Sequence, residues 1–167
     1  MMLKLDDRDL KILSILQKEG RISKTALAER VNLTPAPCWE RLKRLEKAGI
    51  ITGYHAEVAL ARIAPHIIVF MAVELEGHKA ENFQLFERAV QKIDEITGCW
   101  AVGGGFDYIL QVVARDIDAY QRLVDRLLEA HLGLKRYFTY IVTKPVKQPK
   151  GAPLDMLVRG AAEGQKN

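Results

Sequence analysis

The sequence predicts an α+β chain in two parts, helical to about residue 53 and mixed strand and helix from about residue 66. Three observations carry this. Apolar residues recur at helical spacing before residue 53 and give way to β-branched runs after residue 65. The stretch from Val31 to Ile51, VNLTPAPCWERLKRLEKAGII, opens a helix on two prolines and gives it one basic side. The later segments follow the order β-α-β-β-α-β.

In order along the chain, Asp6 or Asp7 caps a first helix whose apolar stripe is Leu10, Ile12, Leu13 and Leu16, ending near Gly20. Ser23 caps a second, short helix through Val31, with Leu27, Ala28 and Val31 facing inward. Residues 32–34 make a brief turn. Thr34 then caps a third helix with Pro35 at its first position, where a missing N–H has no intrahelical partner to lose. Pro37 still lies in the first turn, and Gly49 supplies a left-handed stop. At about 100° per residue, Cys38, Leu42 and Leu45 fall on one side. Ala36, Glu40, Arg41, Lys43, Arg44 and Lys47 fall on the other, with Trp39 between and read as packing. Two short helices, a tight turn and a basic second helix make a helix-turn-helix, and residues 50–60, IITGYHAEVAL, read as a winged β-hairpin. Residues 1–53 are therefore predicted as one domain and 54–65 as a linker strand.

Residues 66–148 are predicted as a second domain. PHIIVFMAVELE is a strand, and KAENFQLFERAVQKI a helix with Phe83, Phe86, Ala89, Val90 and Ile93 at helical spacing. EITGCWAVGG and FDYILQVVAR are two strands joined across glycines. DIDAYQRLVDRLLEAHL is a second amphipathic helix (Ile117, Tyr120, Leu123, Leu127, Leu128), and KRYFTYIVTKPVK a last strand. That order implies a ferredoxin-like split βαβ sandwich with both helices on one sheet face. The other face, lined by residues such as Ile68, Phe70 and Ile109, should seek a partner, so homodimerisation or higher assembly is expected. Residues 149–167 are predicted as a flexible tail.

Composition limits function. No apolar run approaches the ~20 residues of a membrane span, and the charged opening MMLKLDDRDLK does not read as a secretory signal, so a cytoplasmic protein is expected. Cys38 and Cys99 are two lone thiols, which argues against a disulfide framework or metal site. Net charge is +4 over 167 residues, yet residues 1–62 carry 12 Lys/Arg against 8 Asp/Glu while residues 63–144 carry 9 against 11. The first part is thus the one suited to a polyanion.

Double-stranded DNA fits that charge. Arg41, Lys43, Arg44 and Lys47 supply it along the third helix, with Arg41 and Arg44 expected to reach guanine edges through their forked guanidinium groups. Thr34 at the helix start, beside Pro35 and Ala36, and Ser23 and Lys24 opening the second helix, are expected at phosphates. Glu40 shares the exposed face. In the second domain, VGGGFDYIL holds more glycine than a tight turn needs. Gly103, Gly104 and Gly105 can serve a turn, or bare N–H groups there can cradle a carboxylate. Asp107 then offers a partner for an ammonium group, Tyr108 a wall or hydroxyl donor, and Thr139 a weaker candidate that packing explains equally well. Phe106 completes the segment.

The marks LDDRDLKILSILQKEGRIS, LTPAPCWERLKRLEKAGIITGY and GGGFDY, spread over residues 4–148, resemble the leucine-responsive/asparagine-responsive (Lrp/AsnC, feast/famine) regulators. The resemblance implies operator binding by the first domain. It also implies dimers, often octamers, of the second, a free amino acid bound between dimers as effector, nucleoid association in a prokaryote, and a response that maps onto Asp107. Two departures stand out: Ala36 where the family commonly has threonine, and Gly105 where an acidic residue often sits. Ala36 loses a hydroxyl but leaves a methyl for thymine. Two alternatives share the architecture. Some siroheme decarboxylases resemble it, but His55, His66, His78 and His131 are scattered and form no catalytic constellation; no enzyme, catalytic residue, cofactor or metal is therefore expected. A nucleoid-organising protein of low sequence preference would differ in base readout alone.

Overall fold

The computed structural model describes residues 3–77, 79–149 and 151–163. It divides into two compact units, one of residues up to Glu57 with those from Lys147, the other of Val58–Val146.

In the first unit, α1 (Asp7–Leu16) begins at the N-cap Asp6, whose side chain accepts from the N–H groups of Arg8 and Asp9, while the Asp9 carboxylate reaches back to the Asp6 N–H. That reciprocal box satisfies donors the helix leaves unpaired. Helix α2 (Lys24–Arg30) is capped by Ser23, whose Oγ accepts from the Ala26 N–H at 3.1 Å. It ends on Asn32 at φ 54°, with Leu33 N–H donating to the Ala28 carbonyl and Asn32 N–H to that of Glu29. Helix α3 (Pro35–Lys47) follows. Thr34 holds its N-cap position but makes no side-chain capping bond; Pro37, three residues on, has no N–H to offer it. Gly49, at φ +68°, ends α3 by the same device, with Ile50 N–H on the Leu45 carbonyl and Gly49 N–H on that of Glu46. Ile12, Leu27, Val31, Cys38, Leu42 and Leu45 make the core. Ile15 is buried where Leu16 was expected, and Leu16 is half-buried against it.

Three sequence expectations fail here. Residues 52–59 have no regular secondary structure, so the winged hairpin is not made within the described residues. A two-stranded ribbon on its own is marginal in water, and Tyr54 instead donates its hydroxyl to Glu46 Oε1 at 2.8 Å. The linker 54–65 ends in a 3₁₀ turn, Leu60–Arg62, and contains no strand. The tail is not free either: α6 (Leu154–Glu163) packs Leu154 against the first core. Its approach is fixed by Gln17, whose amide accepts from Ala152 N–H at 2.6 Å and donates to the Ala152 carbonyl at 3.4 Å. The expectation for residues 150 and 164–167 lies outside the described residues.

The second unit contains β1 (Ile67–Leu75), α4 (Ala80–Val90), β2 (Ile96–Ala101), β3 (Tyr108–Ala114), α5 (Ile117–Glu129) and β4 (Leu134–Ile141). The sheet order is β2-β3-β1-β4, and every neighbouring pair is antiparallel. Alternation along β1 sends Val69, Met71, Val73 and Leu75 into a core with Phe86 and Val90 of α4 and Tyr120, Leu123, Val124 and Leu127 of α5. Ile117 and Leu128, expected inward, are exposed, and Val124 takes the buried position. The opposite face carries Phe70, paired across from Tyr140, with Ala72 across from Phe138 and Ile109 across from Trp100. Phe70, Trp100, Phe138 and Tyr140 are all exposed, Trp100 at 50% and Tyr140 at 55%. An antiparallel sheet facing water would alternate to polar residues on that side; this one sets its aromatic residues there beside only a few polar ones, Glu74, Gln111 and Arg136.

Phe86 is fully buried between α4 and the sheet. Phe86→Ala should therefore destabilise the second unit by about 3–5 kcal/mol, read as a lower urea midpoint for its transition. A loss under about 1 kcal/mol would mean that the helix layer does not depend on this ring.

Candidate functional site

The side of α3 turned away from Cys38, Leu42 and Leu45 is the first candidate surface. Pro35, Ala36, Pro37, Glu40, Lys43, Arg44 and Lys47 are exposed there. Ser23 and Lys24 open the neighbouring α2, and the Lys24 ammonium sits 3.3 Å from the centroid of the Trp39 ring, with Lys43 at 5.1 Å. The half-buried Trp39 thus packs, as expected, and also holds two lysines by cation–π attraction.

Arg41 and Arg44 do not extend freely into solvent as the helical projection suggested. Arg41 Nη1 donates to Asp6 Oδ2 at 2.6 Å and Asp9 Oδ1 at 2.9 Å, and its side chain is 24% exposed. Arg44 Nη2 donates to Asp9 Oδ2 at 2.6 Å, with 44% of its side chain exposed. Asp9 is 1% exposed at its side chain. A carboxylate so buried is tolerable because two guanidinium groups and the Asp6 N–H, at 3.1 Å, receive it. The Asp6 carboxyl is held below the usual carboxylate range, first by the Asp9 backbone N–H and then by Arg41, and those carboxylates push the Arg41 guanidinium up in turn. Sequence reasoning missed Asp6 and Asp9 as part of this surface. The available signal was an acid at residue 9, one turn before Leu13 on the buried stripe.

The second candidate is the loop between β2 and β3. Val102 N–H donates to the Asp107 carbonyl at 2.9 Å, and Asp107 N–H to that of Val73 at 2.9 Å. Asp107 Oδ2 accepts from Leu75 N–H at 2.8 Å, so this carboxylate helps to join β1 and β3 as well as facing a recess. Gly104 lies at φ +136°, a conformation that glycine alone adopts readily. A Cβ at Gly103, Gly104 or Gly105 would meet nothing within 4 Å, so no close approach among the described residues explains the three glycines. The residues of the motif diverge. Phe106 stacks edge-on with Phe138 at 5.3 Å, on the apolar sheet face. Tyr108 is buried on the helix side, donates its hydroxyl to Glu87 Oε1 at 2.7 Å, and has its pKa raised by burial and by Glu87. Thr139 is not brought to the loop: it stands on β4, two strands from Tyr108, hydrogen-bonded to Tyr120.

Beside Asp107 and Tyr108 lies an open recess of about 470 Å³ that also includes Phe83, Gln84, Glu87 and Ala101. Gln84 and Glu87 were not singled out from the sequence. They flank Phe86 on α4, and their polar spacing alone reads as a solvated helix edge. Among the described residues no cluster of His, Cys, Asp and Glu is arranged to hold a metal.

Residues 68–152 match the family model described as Lrp/AsnC ligand binding domain, and residues 5–52 that described as winged helix-turn-helix DNA-binding. The chain belongs to the Lrp/AsnC family. Over 150 residues it is 51% identical to the transcriptional regulatory protein DoeX of Halomonas elongata, covering 90% of this chain and 95% of that one. Over 144 residues it is 41% identical to the leucine-responsive regulatory protein of Escherichia coli, covering 86% and 88%. Its fold matches the transcriptional regulator NMB0573 of Neisseria meningitidis, solved as an L-Met complex, with a TM-score of 0.86, 35% identity, and coverage of 92% and 99%. This Lrp/AsnC chain is accordingly a transcriptional regulator with a helix-turn-helix DNA-binding domain and a ligand-binding domain. No helix among the described residues is long and apolar enough to cross a membrane.

The lowered Asp6 pKa sets a sign for acid sensitivity. Its contribution is fully present above the unfolded carboxylate value of about 3.9 and is lost as pH falls through the lower folded value. Asp6→Asn should flatten the fall in melting temperature of the first unit as pH drops below about 4. An unchanged acid profile in that variant would remove Asp6 from the ion-pair network.

Proposed function

We propose that the chain regulates transcription by binding double-stranded DNA sequence-specifically through the exposed side of α3, with its oligomeric state and DNA affinity tuned by a free amino acid. One observation carries the DNA part: α3 buries Cys38, Leu42 and Leu45 while turning Ala36, Glu40, Lys43, Arg44 and Lys47 outward. Lys43 and Lys47 take phosphates, Ser23, Lys24 and Thr34 flank them at the backbone, and Pro35 and Ala36 bring the helix start close to the groove. The role expected of Arg41 passes to packing against α1, since both of its hydrogen bonds run to Asp6 and Asp9. We place the protein at the cytoplasmic nucleoid, with no reaction, cofactor or metal of its own.

For assembly, the apolar face of Phe70, Trp100, Phe138 and Tyr140 is proposed to close a homodimer, and dimers to build a tetramer or octamer. For the effector, the L-Met bound by NMB0573 and the name of the leucine-responsive relative support an amino acid. We place it at the loop Gly103–Gly105, with backbone N–H groups at its carboxylate and Phe106, Asp107 and Tyr108 beside it. Ligand at such a site changes assembly, and with it the spacing of the DNA-binding units, by its differential affinity for one state.

Selection of duplexes from a random pool should enrich an interrupted palindrome. Lys43→Ala and Lys47→Ala should each lower the slope of log K against log salt by about 0.9 on that duplex. Enrichment without a common motif would favour a nucleoid organiser, and unchanged slopes would remove α3 from the interface. Separately, thermal shift with the twenty amino acids should find at least one that raises the melting temperature of the wild type. Asp107→Asn, which keeps an acceptor for Leu75, should abolish that shift; an equal shift in the variant would contradict the placement of the ligand.

A further inference from the structure

We propose that Asp9 is a positioning residue for base recognition: its buried carboxylate orients Arg44 to read a guanine, while Arg41 holds Asp9 in place and does not touch DNA. The proposal rests on the DNA reading of α3 given above. The two arginines differ in what they have left to offer. Both hydrogen bonds of Arg41 leave from Nη1, to carboxylates on either side, and three quarters of that side chain is covered. Arg44 gives Asp9 one Nη2 donor at 2.6 Å and keeps nearly half its side chain exposed. A guanidinium carries five donors, and the remaining ones include a pair matched to guanine O6 and N7.

The geometry suits a buttress. Asp9 is fixed to α1 by its place in the capping box and by burial beside Leu10, Ile12 and Leu13, so it moves with the core and not with solvent. A guanidinium resting on it has lost most of its freedom before DNA arrives, and a group ordered in advance contributes more to discrimination when it binds. Asp9 also ties α3 to α1 at two points one helical turn apart, Arg41 and Arg44, which sets the rotation of α3 about its own axis. Lysines 43 and 47, outside this network, remain point charges that suit phosphate but not bidentate base contact.

The test uses the full-length protein and the duplex it enriches from a random pool, against single-pair variants of that duplex and a scrambled one. Arg44→Gln should lose about 5- to 150-fold in discrimination at one G·C pair. Asp9→Asn should lose discrimination at that same pair without a lower salt slope, and the double variant should lose no more than Arg44→Gln alone, because a positioning residue acts through the group it positions. Arg41→Gln should lower the melting temperature and leave the salt slope unchanged. Folding is checked by circular dichroism; if Asp9→Asn does not fold, Asp9→Glu, which keeps the charge and displaces it, takes its place with the same expected loss. Full discrimination in a folded Asp9 variant, losses that simply add, or a slope lowered by about one in Arg41→Gln would each overturn the proposal. A wild type that enriches no duplex removes the DNA reading itself, an outcome distinct from the others.

Discussion

A carboxylate with almost no access to water, Asp9, receives two arginines from another helix and an N–H from its own helix start. Everything the first unit presents to a partner depends on that arrangement. An unpaired charge at this depth would cost several kcal/mol, so the network forms as a whole or the helices pack differently. It joins the beginning of α1 to the middle of α3, and it divides the basic residues of α3 into two sets. Arg41 is committed to the protein; Lys43, beside the Trp39 ring, and Lys47 stand outside the network; Arg44 belongs to both.

The second unit solves a different problem. Its β-α-β-β-α-β order puts both helices on one sheet face, where alternation buries Val69, Met71, Val73, Leu110 and Val112 against them. The opposite face keeps aromatic side chains on three strands, and Phe106 from the glycine loop joins them through Phe138. Phe106 and Asp107 are neighbours in sequence, so the loop that faces the recess is covalently continuous with the surface proposed to close the dimer. A ligand that orders one is placed to influence the other.

Much of the fold was legible from residue spacing. Cap residues, the prolines that start α3 and the glycine that ends it mark α1, α2 and α3, and apolar, β-branched runs mark the four strands. The failures have local causes. The wing was read from apolar residues after Gly49 that find no partner strand among the described residues, and α6 was hidden behind the breaker-rich KQPKGAP. At the candidate sites a helical projection sorted α3 correctly by face, but long side chains are not fixed by the angle of their Cα. Arg41 and Arg44 project outward and then bend to Asp6 and Asp9, residues more than 30 positions earlier. No pattern within α3 encodes that. The glycines of the loop, Asp107 and Tyr108 were proposed from the sequence and the family resemblance, whereas Glu87, which meets Tyr108, became visible only once α4 was laid beside β3.

The most direct test of the central claim is a crystal structure of the full chain on a duplex that it has enriched. Arg44 should lie on a guanine edge with Nη2 still on Asp9, and Arg41 should remain between Asp6 and Asp9, away from the DNA. Arg41 on a phosphate or base, or Arg44 on its guanine with Asp9 left behind, would contradict the account.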